Sequence, residues 1–111
     1  MTPEGKVKQW CRRKDGAFDK WFPGHKRVSP RGGPFAANGV CDDILCWQGI
    51  FVAIEVKSAD GSATALQLDF LREVQAAGGV AAVLKGKDEH KLLAIRNAVI
   101  RKIDELRRGP L

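Results

Sequence analysis

GVCDDILCWQGIFVAIEVK, residues 39–57, reads as a β-hairpin that carries acids. Ile44 to Trp47 is a short apolar run, Gln48-Gly49 supplies a two-residue turn, and Ile50 to Val56 is rich in β-branched residues. Asp42 and Asp43 stand at the entry of the hairpin, Glu55 and Lys57 at its exit. Side chains alternate along a strand, so Glu55 and Lys57 share one face and Val56 points to the other. Pairing through the turn brings the outer ends of the strands together, and Asp42 or Asp43 then comes close to Glu55. Carboxylates forced together repel, and a divalent cation is the usual reason to tolerate that. Taken alone, Glu55-x-Lys57 is an ion pair of small energy. Acids at both ends of one apolar hairpin make a more specific pattern.

Upstream of the hairpin, Pro3 to Lys14 reads as a helix. Thr2 suits its cap, Pro3 its first position and Gly16 its stop. Val7, Trp10 and Cys11 form an apolar stripe, and Glu4 lies in line with it. A first-turn acid also favours the helix dipole, which is reason enough for Glu4 by itself. Ala17 to Phe22 reads as an edge strand. Residues 23–39 are full of chain breakers and cations and read as a mobile basic loop leading into the hairpin. Within that loop Gly32-Gly33, beside Arg31, would let backbone amides approach a phosphate.

Downstream, Thr64 to Ala77 reads as a helix ended by Gly78-Gly79. Thr64-x-x-Gln67 matches a capping box, and Gln67 faces inward in the first turn. Val80 to Leu84 reads as a short buried strand. Asp88 to Arg108 reads as a long helix with Leu92, Ile95, Val99, Ile103 and Leu106 along one stripe. Leu93 and Ile100 widen that stripe, which serves either the core or a dimer seam.

The chain of 111 residues suits one domain, residues 1–111, with a single modest core. Its N-terminus has no apolar region of the signal-peptide kind, and no apolar run is long enough for a membrane span. The expectation is a cytoplasmic protein without a membrane partner. Cys11, Cys41 and Cys46 lack CxxC spacing and read as reduced thiols rather than a zinc site. The net charge of +6 is unevenly placed: residues 1–36 hold nine cations against three acids, so the whole excess lies there. That asymmetry points to a polyanion-binding surface, with Lys26, Arg27 and Arg31 as candidate phosphate contacts.

Gly39-Val-Cys-Asp42, an apolar hairpin, Glu55-Val-Lys57, Thr64-Ala-Leu-Gln67 and Ala76-Ala-Gly-Gly-Val-Ala-Ala-Val follow one another in an order and spacing that resembles the virus-type replication-repair nuclease family (VRR-NUC). That family belongs to the PD-(D/E)xK nucleases. The resemblance covers roughly residues 1–90, most of a family-sized domain. It implies an α/β fold with a restriction-endonuclease-like core, α-β-β-β-α-β, here with an additional C-terminal helix. It also implies that Asp42, Glu55 and Lys57 are the motif residues, that Gln67 is the glutamine of the following helix and that Glu4 is the first-helix acid. Cys41 departs from the family's usual proline, which shapes only the strand entry. Asp43 stands where an apolar residue is usual and leaves the register of the aspartate open between Asp42 and Asp43.

The chemistry implied is hydrolysis of DNA phosphodiesters with Mg²⁺ or Mn²⁺. Asp42 and Glu55 would bind the ion with the backbone carbonyl of Val56 and with Glu4; hard oxygen ligands suit these ions. Such an ion stabilises charge on the phosphate and lowers the pKa of water. Lys57 would hold the attacking water, and Gln67 would orient Lys57 or a phosphate. One ion and two remain alternatives. The resemblance further implies structure-specific cutting, as at four-way junctions or other branched DNA, in a phage-infected or bacterial cell, and a homodimer. The alternative is a nucleic-acid-binding module of the same fold without catalysis.

Overall fold

The computed structural model describes residues 1–30 and 40–109. Two helices, α1 (Pro3–Arg12) and α2 (Ala17–Trp21), precede strands β1 (Lys26–Val28), β2 (Asp43–Trp47) and β3 (Ile50–Lys57); α3 (Ala65–Ala76), β4 (Val80–Lys85) and α4 (Glu89–Arg108) follow. The four strands form one mixed sheet in the order β1-β2-β3-β4. β2 runs antiparallel to both β1 and β3, and β4 lies parallel to β3 after the α3 crossover.

The β2–β3 hairpin forms around the expected turn. Gln48 and Gly49 both have positive φ, 54° and 78°. That conformation matches the right-handed twist of the flanking strands, and glycine adopts it without strain. From there the alternating pattern divides the strand residues between two layers. Ile50, Val52, Ile54 and Val56 join Leu45 and Trp47 in a core shared with α1, α2 and α4. Ala53 and Ala81 on the opposite face pack with Leu71 and Val74 of α3.

Ala17 to Phe22 is not an edge strand. It is helix α2, and the reason is the spacing of its aromatics. Phe18 and Phe22 are four apart, both buried, with ring centroids 6.4 Å from each other, while Asp19 and Lys20 are exposed. A strand would have driven Lys20 into the face shared by the two phenylalanines. Burying two such rings contributes about 1.5–3 kcal/mol each. A second correction concerns Lys26–Val28, which is strand β1 rather than part of a loop, paired with β2 from Lys26 opposite Cys46 to Val28 opposite Ile44. The Gly32-Gly33 and Arg31 expectations lie outside the described residues.

The remaining helices follow their caps. Thr64 and Gln67 form the expected capping box, and Gly78, at φ 98°, leads the chain out of α3. The Asp88 side chain accepts from the Lys91 amide and starts α4. Leu92, Ile95 and Val99 of α4 are buried against the sheet, and Ile103 packs on the same core. Leu106 continues that stripe beyond the core and is exposed, as are parts of Leu93 and Ile100. No helix among the described residues is long and apolar enough to cross a membrane.

Candidate active site

Strand β3 runs on after β2 has stopped pairing. The β2 ladder ends with Asp43 opposite Ile54, whereas β3 continues through Glu55, Val56 and Lys57, paired there with β4 on its other side. This leaves a notch in the sheet beside the end of β2. Asp42, Glu55 and Lys57 line it, and Glu4 and Lys8 of α1 reach it with their side chains.

The side chains in the notch form one continuous chain of charges. Lys57 Nζ lies 3.2 Å from Glu55 Oε1 and 3.6 Å from Glu4 Oε1. Lys8 Nζ lies 3.0 Å from the other Glu4 oxygen, Oε2, and donates a hydrogen bond to Asp42 Oδ2. The order in space is therefore Asp42, Lys8, Glu4, Lys57, Glu55. Glu4 and Asp42 open to solvent, with side chains 37% and 46% exposed, while Glu55 is 1% exposed. Glu55 Oε2 is buried and has no hydrogen-bond partner among the described residues. Burial pushes the Glu55 carboxyl up from its ordinary range; the bond from Lys57 opposes that shift, and Asp42 adds to it.

Asp43 belongs to a different cluster. It is fully buried and faces the opposite layer from Glu55, as its pairing with Ile54 requires. Arg12 Nε and Nη2 donate to its two oxygens at 2.8 Å each, and Arg27 Nη1 lies 3.4 Å from Oδ1. The bidentate fork uses both Asp43 oxygens. Its neighbour Asp42 keeps one oxygen, Oδ1, outside the Lys8 contact. The two adjacent aspartates thus do different work: Asp43 ties β2 to α1 and β1, and Asp42 faces the notch.

Of the expected site residues, Glu4, Asp42, Glu55 and Lys57 come together here. The Val56 side chain is buried in the core, so only its backbone is available to the notch. Gln67 serves α3: its Oε1 accepts from the Thr64 amide at 2.9 Å, and no hydrogen bond joins it to Lys57 among the described residues. Lys26 is exposed on β1. Arg27 is tied to Asp43 and to the Ser29 hydroxyl, which leaves less of it for a phosphate than an exposed loop would. Lys8 and Arg12 were not singled out by sequence, although a signal for them exists. Glu4, Lys8 and Arg12 recur every four residues and so line one flank of α1.

No protein-family model, curated protein or solved structure matches this chain. The geometry of the notch therefore carries the functional reading together with the sequence pattern. Among the described residues no three acids, histidines or cysteines converge on a single point. The reason is visible in the distances: ammonium groups stand between the carboxylates. In kind, the donors fit a hard divalent cation, being carboxylate oxygens of which one, Glu55 Oε2, is buried without a partner. Cys11 and Cys41 are buried with their thiols pushed up to about 12 by desolvation, so they stay protonated and offer no thiolate.

Proposed function

We propose that this chain is a divalent-metal-dependent endonuclease acting on DNA, built on a restriction-endonuclease-like core. The observation that supports it most is the notch beside β3, which is lined by Glu4, Asp42, Glu55 and Lys57 and holds a buried carboxylate oxygen, Glu55 Oε2, without a hydrogen-bond partner among the described residues. The resemblance of the motif order to the VRR-NUC family supports the same reading. Asp42, Glu55 and Glu4 would hold Mg²⁺ or Mn²⁺, with the Val56 carbonyl as a backbone donor. Such an ion supplies Lewis-acid stabilisation of the phosphate and a more acidic water. The protein's own groups do the rest. Glu55 fixes the Lys57 ammonium 3.2 Å away. Lys57 offers that charge to the attacking water and to the negative charge that develops on the phosphate. Asp42 and Glu4, on the solvent side, face the incoming strand. Gln67 contributes by capping α3 and so fixes the turn that follows Lys57.

Branched DNA, such as a four-way junction, is the proposed substrate, and a symmetric dimer through α4 is the proposed assembly. The second reading, a DNA-binding module without catalysis, is favoured by one observation: Lys8 and Lys57 already compensate the acids without an ion. Supercoiled and four-way-junction DNA incubated with the protein, with and without Mn²⁺, separates the two. Metal-dependent cutting is the expected result. It should be lost, with DNA binding retained, in Asp42→Ala, Glu55→Ala and Lys57→Ala. A mobility shift without cutting under every condition supports the binding module instead. Cutting by Glu55→Ala at the wild-type rate would remove the assignment of this site.

A further inference from the structure

The nuclease reading leaves Lys8 without a role, yet Lys8 bridges two of the acids in the notch. Its ammonium bridges Glu4 Oε2 and Asp42 Oδ2, oxygens of two of the acids assigned to the ion, and its side chain is only 18% exposed. An ammonium is a compact cation with three donors, and it satisfies two facing carboxylates much as a metal would. Its contact with Glu4 Oε2 is 3.0 Å, whereas Mg²⁺ draws its ligands to about 2.1 Å. Both cations cannot occupy one place between the same oxygens.

We propose that Lys8 is the resident countercation of the notch: it occupies the place of the divalent ion, leaves when the ion binds, and thereby sets the affinity of the site. The proposal rests on the metal-dependent reading given above. Three observations carry it. The first is the bridging position just described. The second is the contrast with Lys57, whose backbone is paired with β4 in the sheet, while Lys8 rides on α1 at the rim with a flexible four-carbon stem. Lys8 can swing toward solvent; Lys57 is held over Glu55. The third is Glu55 Oε2, a buried oxygen that neither lysine satisfies. Lys8 compensates the outer acids and leaves the inner one wanting, so an ion reaching all three gains a ligand that the ammonium does not use. Once displaced, Lys8 places its charge at the mouth of the notch, where a phosphate would arrive. In population language, the ion selects the arrangement with Lys8 out, and the free chain rests with Lys8 in.

Free Mn²⁺ measured by electron paramagnetic resonance during titration of the protein tests this without reference to cleavage. Lys8→Met keeps the apolar stem and removes the competing charge. It should bind Mn²⁺ about tenfold more tightly than wild type, or more. Glu55→Gln should lose binding in the same assay. If Lys8→Met binds no more tightly than wild type while Glu55→Gln loses the ion, the role of Lys8 is overturned and the metal reading stands. If neither wild type nor Lys8→Met binds Mn²⁺, both fall. Should Lys8→Met fail to fold, lysine ammonium NMR on the wild-type chain decides the matter. The slowly exchanging ammonium signal that Lys8→Arg removes should move to the position of free lysines as Mg²⁺ is added. A signal unmoved at saturating Mg²⁺ overturns the proposal.

Discussion

Glu55 is a carboxylate kept where a carboxylate is costly. One oxygen has Lys57 at 3.2 Å; the other is buried and unpartnered among the described residues. A buried ionised group without full compensation destabilises the fold, and sites that bind a cation store that deficit in the free protein. The direction of its titration follows. Its pKa is raised in the folded chain, mainly by burial. A carboxyl raised on folding binds its proton more tightly in the folded state. Folding stability is therefore lost as pH climbs from the unfolded value through the folded one, and stays lower at neutral pH. Glu55→Gln, which cannot ionise, should be more stable than wild type at neutral pH by on the order of 1 kcal/mol. The advantage should shrink as pH falls through the raised carboxyl and vanish below the ordinary carboxyl range. Urea denaturation across that range measures it. A Glu55→Gln protein less stable than wild type at neutral pH would show that the carboxylate is a net structural asset.

Among the elements, the hairpin and its neighbours were legible and the short pieces were not. Ile50 to Lys57 has a period of two, and the long helices have both caps and stripes, so several signals agree in each. Helix α2 has five residues and β1 has three, too short for either period to show. Their identity comes from tertiary partners, Phe22 against Trp47 at 5.4 Å and Arg27 against Asp43. The site was legible where it lies in the motif and obscure where a helix flank meets it. Asp42 and Asp43 are identical letters in sequence, and only the pleat decides which one meets Arg12. That division can be measured. Asp43 with Arg12 and Arg27 joins three elements, and breaking a buried pair from one side costs about 3–5 kcal/mol. Arg12→Ala, which strands the buried Asp43, should cost about 3 kcal/mol in urea denaturation with an unchanged m-value. Asp42→Ala should change stability by less than about 0.5 kcal/mol, since Asp42 is half exposed. A larger loss at Asp42 than at Arg12 would reverse the roles given to the two aspartates.

At the scale of the whole molecule, the proposed substrate has two strands to cut, and each chain carries one notch. Two symmetric incisions in a junction call for two notches related by a two-fold axis, and a closed dimer supplies them. Helix α4 is the proposed seam. Leu92, Ile95 and Val99 are already committed to the chain's own core. Leu93 and Ile100, seven residues apart and so on one line of the helix, remain more than a third exposed. A helix of 20 residues spans about 30 Å, long enough for two copies to pack antiparallel along that line. A stable pair needs about 800 Å² from each partner, so the flanking polar side chains of α4 must share in it. Sedimentation equilibrium at micromolar protein should then give twice the 12.2 kDa mass of the chain. Ile100→Asp, a change at an exposed position, should leave stability within about 0.5 kcal/mol and return the protein to a monomer. Paired cutting of junctions should fall to single nicks in the same variant, because each monomer still carries a whole notch. A 12.2 kDa species in the free protein, with a single chain on each bound junction, would remove the dimer and leave the symmetry of cutting to two successive encounters.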